Sequence, residues 1–169
     1  MNKRIRTYLS GGMEYAKNEG MNWRSKIETW VALQLGHTVF NPNSESERYL
    51  KKMLPDINLR ALKFSDVSRY QSVVRGIVKL DSEEIAKRTD YVICYWDKSA
   101  QRGAGTKGEL SIARYFGKPV YMVTRIQHSN IPGWILGCTS EIFSSFGDLK
   151  IFLQKKYAKG KEDEREGPR

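Results

Sequence analysis

Tyr91-Val92-Ile93-Cys94-Tyr95-Trp96 is the stretch of sequence that decides the fold, because almost every side chain in it is apolar. A strand with one wet face alternates apolar and polar residues, whereas a strand buried on both faces does not. Asp97 follows directly and opens a polar, glycine-containing segment that extends to Gly105. The pattern predicts the central strand of a parallel sheet, followed by a loop.

The chain before this strand has the pattern of a strand, a helix and a second strand. Residues 4–10 predict a short strand that Gly11-Gly12 ends, and residues 21–35 carry apolar side chains at helical spacing, with Gly36 as the C-cap. Residues 37–40 predict the next strand. A unit of this length predicts parallel pairing, because the crossover helix returns the chain to the same edge of the sheet.

The other predicted elements continue this alternation of helices and strands. Asp81 is expected to cap a short helix, with Glu84 three residues later as its capping partner. The remaining predictions are a mostly helical segment over 44–80 that Pro55 breaks, a helix over 106–116 that Gly117 closes, strands over 120–123 and 141–143, and a last helix over 146–157.

Together these elements predict an α/β fold: a single-domain, doubly wound (Rossmann- or flavodoxin-like) parallel sheet of about five strands with helices on both faces. The domain is expected over residues 1–157. Residues 158–169 are charged, lack an apolar face and predict a disordered tail. Ligands of such sheets bind at the carboxyl ends of the strands near the switch point, so we expect a crevice bordered by Tyr8, Ser10, Gly11, Gly12 and Asp97.

Composition and charge exclude several classes of protein. The 169 residues are 40% apolar, and no apolar run approaches the roughly 18–20 residues of a membrane span. The amino-terminal segment has no apolar signal core, so a cytoplasmic location is expected. Two isolated cysteines and two histidines predict neither a disulfide framework nor a zinc site. The net charge of +10 is scattered, which favours a small anionic substrate over polymeric nucleic acid.

The segment from Arg102 to Leu110 carries the most chemical information. Three glycines in it accompany Glu109, which is expected in the first turn of a helix. Free N–H groups and the helix dipole stabilise a negative charge there, so the carboxylate would stay ionised, as a nucleophile must. The alternative is that Thr106 and Glu109 form only a capping box. The glycine spacing matches neither a Walker A loop nor a dinucleotide-binding motif.

Three segments resemble the nucleoside 2-deoxyribosyltransferase family. They are Tyr8-Leu9-Ser10-Gly11-Gly12, the region from Asp81 to Asp97, and Gly105-Thr106-Lys107-Gly108-Glu109-Leu110 followed by Ala113 and Gly117-Lys118-Pro119-Val120. The resemblance covers roughly residues 4–124. It implies an enzyme that cleaves and transfers at the N-glycosidic bond of (deoxy)nucleosides through a covalent glycosyl-enzyme on Glu109, with no metal or organic cofactor.

The resemblance also implies roles for individual residues. Tyr8 would orient the nucleophile, and Asp81 would lie near the base, although each is also explained as an ordinary strand-end aromatic or a helix cap. The partners implied are a nucleoside or nucleotide, a free base and a second copy of the chain, because relatives complete their sites from a neighbouring subunit; residues 131–143 are where such a contribution is expected. The expected substrate-binding residues are Ser10, Gly11, Gly12, Asp97, Gly103, Gly105 and Thr106.

One position departs from the family pattern and keeps alternatives open. Transferases of this family often have an acidic residue six positions before the nucleophile, where this chain has Gly103. Asp97 is a candidate replacement. The first alternative is a hydrolase of nucleoside 5′-monophosphates, in which Ser10, Gly11, Gly12, Ser99, Arg102 and Lys107 would bind the phosphate. The second is a non-catalytic nucleotide-binding module, in which Glu109 only caps a helix.

Overall fold

A computed structural model describes residues 4–162, and it contains a five-stranded parallel sheet. The strand order is β2-β1-β3-β4-β5. The strands are β1 (Arg6–Gly11), β2 (Thr38–Phe40), β3 (Tyr91–Tyr95), β4 (Val120–Val123) and β5 (Glu141–Phe143). The chain moves outward from β1 to β2 and then returns to the other side of β1 to form β3, so the switch point lies between β1 and β3.

Eight α-helices connect and cover the described strands. They are α1 (Met21–Trp30), α2 (Pro42–Met53), α3 (Leu59–Ser65), α4 (Val67–Lys87), α5 (Lys98–Arg102), α6 (Gly105–Tyr115), α7 (Gly133–Cys138) and α8 (Phe146–Glu162). The first of these continues as a π-helical turn over Val31–Leu35 and ends at Gly36, whose φ of 68° is left-handed. Glycine adopts that conformation without the steric cost of a Cβ.

The two faces of the sheet bury separate apolar clusters. One face packs under α4, α6 and α7, with side chains such as Ile85, Leu110 and Ile135 against β1, β3 and β4. The other packs under α1 and α8, with Ile27 and Leu149 among its buried members. A smaller cluster joins α2, α3 and α4 beside the sheet. The doubly wound architecture predicted from the sequence is therefore present.

Several local predictions need correction. Asp81 does not cap a new helix, because α4 runs without a break from Val67 to Lys87 and places Asp81 in its interior. The segment after β3 is not only a loop, since Asp97 caps the short helix α5. Helix α8 continues through Glu162, beyond the predicted end at Tyr157. Residues 163–169 of the predicted tail lie outside the described residues.

Across the described residues, none of the helices combines the length and apolar character that crossing a lipid bilayer requires.

Candidate functional site

Glu109 lies in the second turn of α6, not in the first as the sequence suggested. The helix is capped at Ala104 without a side-chain hydrogen bond, and no acidic residue occupies its first turn. The capping-box interpretation is therefore wrong, because Thr106 is already a helical residue and is buried. The carboxylate of Glu109 is instead directed at the carboxyl end of β1.

Two hydroxyl groups of β1 hold the Glu109 carboxylate. The Tyr8 hydroxyl donates a hydrogen bond to Oε1 at 3.1 Å, and the Ser10 hydroxyl donates to Oε2 at 2.5 Å. Residues two apart on a strand point to the same face, which is why Tyr8 and Ser10 reach one carboxylate together. Tyr8 also stacks on Phe40 of β2, with ring centroids 5.2 Å apart, so its ring is fixed.

Asp81 brings a second carboxyl group to this centre from α4. Burial, and next the charge of Glu109, raise its pKa from 3.8 to about 7. One carboxyl oxygen, Oδ1, is buried and makes no hydrogen bond to any described group. Unpaired buried polar atoms are rare in folded proteins and require an explanation such as a functional role. Asp81 is therefore equipped to exchange a proton with a ligand.

A cavity of about 740 Å³ opens beside the two carboxyl groups. This is within the usual range of small-molecule sites, roughly 300–1,000 Å³. Its walls come from the loop after β1 and from α2, α3, α4 and the start of α6. Asp81, Gly105 and Glu109 are the sequence-predicted residues that line it, together with apolar side chains that include Leu50, Leu59, Tyr70, Val74, Ile77, Val78 and Ile112.

The protonation of the site follows from burial and from nearby partners. Burial raises the pKa of Glu109, while the Ser10 hydrogen bond, the charge of Arg24 and the Tyr8 hydrogen bond oppose that rise. Burial, and next the charge of Glu109, raise the pKa of the Tyr8 hydroxyl well above its ordinary value, so Tyr8 remains a donor. Burial outweighs these partners, so the pKa of Glu109 lies above its ordinary value. The helix N-terminus does not hold the carboxylate ionised, as the sequence had suggested, because Glu109 lies beyond the first turn of α6; two hydroxyl groups and a cation favour its charged form instead.

Arg24 is a residue of the site that sequence reasoning missed. It lies on α1, is only 1% exposed, and donates hydrogen bonds to the carbonyl oxygens of Leu9, Gly11 and Glu19. An arginine within an amphipathic helix has the pattern of a surface residue, so its own position gave no signal. Its partners on β1 are carbonyl groups that lack a strand partner because β2 ends at Phe40, before β1 ends, and the sequence around Arg24 does not reveal this.

The other predicted binding residues lie near the cavity without lining it. Gly11 ends β1, and its carbonyl accepts from Arg24. Gly12 contacts α5: a Cβ there would lie 2.0 Å from Ser99 Oγ and 2.7 Å from the Ala100 nitrogen. Asp97 accepts hydrogen bonds from the backbone of Ser99 and Ala100 and thus caps α5. Gly103 follows that helix as its C-cap.

Phosphate binding through the predicted residues has little geometric support. Ser99 donates its hydroxyl to Asp97, and the guanidinium of Arg102 lies over the Tyr15 ring at 4.1 Å. Neither side chain lines the cavity. The cations that do line it, Lys51, Arg60 and Lys63, each pair with a glutamate. Over the described residues, no group of three or more His, Cys, Asp or Glu side chains is arranged to hold a metal ion.

Fold and site together define a class: a doubly wound α/β domain with a carboxylate-bearing cavity at the switch point of its sheet. Neither a protein-family model nor a curated protein sequence matches the chain. A solved structure with a similar fold is described as a conserved protein from Enterococcus faecalis V583. Its sequence is 13% identical, the match covers 90% of this chain and 99% of that one, and the TM-score is 0.54. At this identity the likeness shows the fold alone.

Proposed function

We propose that this protein cleaves the N-glycosidic bond of nucleosides or nucleotides through a covalent glycosyl-enzyme on Glu109 and transfers the sugar to a second base. The observation that carries the proposal is the carboxylate of Glu109, held by the hydroxyl groups of Tyr8 and Ser10 at the wall of the cavity. A carboxylate fixed by two donors is oriented to attack one atom of a bound sugar.

The first step uses both carboxyl groups of the site. A Glu109 oxygen forms a bond to the anomeric carbon, the bond from that carbon to the base nitrogen breaks, and its electron pair leaves with the base. Asp81 supplies the proton that the departing base needs. A pKa of about 7 suits this role, because general acids work best when their pKa is near the operating pH.

The second step releases the sugar from Glu109. The nitrogen of an incoming base attacks the anomeric carbon, the ester bond to Glu109 breaks, and Asp81 takes the proton that the incoming nitrogen loses. Water can take the place of the base and then yields the free sugar. Retaining glycosidases use this same sequence of a nucleophilic carboxylate and a second carboxyl group that changes from acid to base.

Hydrolysis of a nucleoside 5′-monophosphate is the second candidate. It is supported by Arg60 and Lys63, which line the cavity and offer cations to a phosphate group. Both cations are already paired, Arg60 with Glu19 at 2.9 Å and Lys63 with Glu14 at 3.0 Å. A phosphate would compete with these glutamates for the two cations, whose charges are already neutralised. We therefore propose the nucleoside as the first substrate class and the monophosphate as the second.

Chromatography of reaction mixtures tests the proposal. The protein is incubated with purine and pyrimidine deoxynucleosides and ribonucleosides, and with their 5′-monophosphates, each with and without a second free base. A new nucleoside that carries the second base indicates transfer. Free base without an acceptor indicates hydrolysis. If no substrate in the panel changes while calorimetry detects binding, the protein is a binding module and the proposal is wrong.

Mass spectrometry of the intact protein, followed by peptide mapping, tests the covalent step separately. The protein is quenched in acid during turnover of a 2′-deoxynucleoside, and the expected product is an adduct of one deoxyribosyl group on a peptide that contains Glu109. The variant Glu109→Gln should show no adduct. An adduct on another residue would assign the nucleophile elsewhere.

A further inference from the structure

Strand β2 is shorter than its neighbour β1, and this leaves one edge of β1 open. Strand β2 pairs with β1 only from Arg6 to Tyr8, whereas β1 pairs with β3 as far as Gly11. The Ile5 carbonyl bonds to Thr38 on the β2 side, and carbonyl directions alternate along a strand. The carbonyls of Leu9 and Gly11 therefore point to the side where β2 has already ended.

Arg24 closes this open edge. Its guanidinium donates to Gly11 O at 2.8 Å through Nη2 and to Leu9 O at 3.3 Å through Nε. A third hydrogen bond, from Nη1 to Glu19 O at 3.0 Å, binds the turn that follows β1. Buried carbonyl groups need donors, and a planar guanidinium offers several in a fixed geometry.

The turn bound by Arg24 is conformationally unusual and borders the cavity. Asn18 and Glu19 have φ values of 50° and 51°, a left-handed conformation that is uncommon for residues other than glycine. Such backbone persists only where its surroundings hold it, and it is concentrated at functional sites. The side chain of Glu19 lines the cavity. Arg24 thus links the end of β1 to one wall of the site.

Arg24 also carries a buried positive charge that is electrostatically coupled to Glu109. The two carbonyls it binds along β1 flank Ser10, whose hydroxyl holds Glu109. Burial lowers the pKa of Arg24, and the charge of Glu109 is the foremost influence that raises it again. The other titratable groups coupled to Glu109 are Tyr8 on β1, Asp81 on α4 and Cys94 on β3. None of these three is a cation.

We propose that Arg24 is a positioning residue that fixes the carboxyl end of β1 and supplies a buried positive charge that favours the ionised form of Glu109. This inference rests on the proposed role of Glu109 as a nucleophile, but its electrostatic part is measurable without any turnover. It assigns one residue to two tasks, since the hydrogen bonds orient Tyr8 and Ser10 while the charge acts on the carboxylate they hold.

The test measures the ionisation of Glu109 directly. Protein labelled with ¹³C at glutamate carboxyl groups is titrated by NMR, and the Glu109 signal is assigned by its absence in Glu109→Gln. In Arg24→Met the midpoint should rise by about one pH unit or more, the usual effect of losing a nearby opposite charge. In Arg24→Lys, which keeps the charge, it should stay close to the original value. Arg24→Gln replaces Arg24→Met if the latter does not fold, because its amide still donates to one carbonyl.

Arg6→Met is the matched control. Arg6 also lies on β1 and pairs with a buried carboxylate, that of Glu84, so its loss destabilises the same strand from the opposite end. The Glu109 midpoint should not move in this variant. An unchanged midpoint in Arg24→Met or Arg24→Gln, or an equal change in Arg6→Met, would overturn the proposal.

Activity provides a separate measurement of the same variants. The acidic limb of the pH profile of kcat/KM should move upward with the NMR midpoint in Arg24→Met and remain in place in Arg24→Lys. If the NMR midpoint moves as expected but no nucleoside is turned over, the role proposed for Arg24 stands and the proposed enzymatic function fails. If turnover occurs and neither quantity responds to the loss of charge, Arg24 has only a structural role and the inference is wrong.

Discussion

At the scale of single residues, Glu109 differs from its neighbours by having a carboxylate that is held on both oxygens. In Glu109→Gln the amide oxygen can still accept a hydrogen bond from Tyr8 or Ser10, while the attacking carboxylate is lost. We expect turnover to fall below detection with the thermal unfolding temperature unchanged or higher, because a buried charge has been removed. Base release and calorimetry measure the two effects.

Glu47 provides a control for the Glu109 variant. It also lines the cavity, but its side chain is exposed and pairs with Lys51. Glu47→Gln removes a carboxylate from the same cavity and should retain most of the activity, since exposed ion pairs contribute little, about 0–1 kcal/mol. Equal loss of activity in both variants would mean that the charge of the cavity matters and the identity of the nucleophile does not.

Tyr8→Phe tests the orientation of the carboxylate. The phenyl ring keeps the stacking on Phe40 and removes the hydrogen bond to Glu109 Oε1. Because that hydrogen bond stabilises the ionised carboxylate, its loss raises the pKa of Glu109 and leaves the nucleophile less fixed. We expect kcat to fall by about tenfold or more while KM changes little, from the roughly 1.5–3 kcal/mol of a charge-assisted bond. A rise in KM alone would contradict the assignment.

The raised pKa of Asp81 predicts how the stability of the protein depends on pH. Its pKa is about 7 in the folded protein against 3.8 ordinarily, so between these values the folded state holds a proton that the unfolded state has lost. The contribution of Asp81 to the free energy of unfolding is fully present below about pH 4. It is lost as the pH rises through 7, by up to about 4 kcal/mol. Asp81→Asn should therefore gain stability relative to the original protein as the pH rises from 4 to 8.

Urea denaturation across that pH range measures the effect. Asp148→Asn is the control with the opposite sign, because hydrogen bonds from Ser145 and Ser144 lower the pKa of this exposed aspartate. The contribution of Asp148 to the free energy of unfolding is present above its ordinary pKa and is lost as the pH falls. Asp148→Asn should therefore be less stable than the original protein at neutral pH. A parallel pH dependence in both variants would show that Asp81 does not titrate as described.

At the scale of elements, the strands and the switch point followed from the sequence, because the residues of buried parallel strands are apolar on both faces. The sequence did not predict that α4 continues through Asp81-Ser82-Glu83-Glu84, because this segment has the composition of a helix start. In the structure, Asp81 faces Glu109, while Glu84 is buried and pairs with Arg6 and Arg88. Arg88 is local, but Glu109 and Arg6 are distant in sequence, so local sequence does not reveal why the helix continues through four polar residues.

The candidate site also contains residues that the sequence predicted and residues that it did not. Tyr8, Ser10 and Glu109 could be placed at one crevice from the switch-point rule and the family resemblance. Arg24 could not, because its partners are backbone carbonyls that become available only when β2 ends before β1. Gly11 and Gly12 were predicted to bind the ligand, but Gly11 ends β1 and Gly12 contacts α5, and neither lines the cavity.

Gly12→Ala should show how closely α5 packs on the end of β1. The added methyl group would lie 2.7 Å from the Ala100 nitrogen and 2.8 Å from the Ser99 carbonyl carbon, and backbone atoms cannot move aside as a side chain can. We expect a loss of about 1–3 kcal/mol in the free energy of unfolding. Gly137→Ala on α7 meets no atom within 4 Å and should be neutral or stabilising by comparison. Chemical denaturation of both variants distinguishes the steric cost at Gly12 from the effect that replacing glycine by alanine has where no atom is close.

At the scale of the whole molecule, the helices that form the outer wall of the cavity expose apolar side chains. Phe64 on α3 is 89% exposed, and Val67 and Val78 on α4 are 55% and 57% exposed. Exposed apolar surface beside a binding cavity is typical of protein–protein contacts. We therefore expect a homodimer in which a second copy covers this wall, since a symmetric pair is the commonest assembly of soluble proteins.

Sedimentation equilibrium measures this association, and paired surface variants show whether the wall mediates it. Phe64→Ser combined with Val67→Ser makes both exposed positions polar and should produce monomers with an unchanged far-ultraviolet circular dichroism spectrum, because neither side chain belongs to the buried core. Leu33→Ser, a control on the π-helical turn behind the sheet where the side chain is 74% exposed, should leave the dimer intact. If the original protein sediments as a monomer at tens of micromolar, the cavity is complete within one chain, and the apolar wall must then be explained by its ligand.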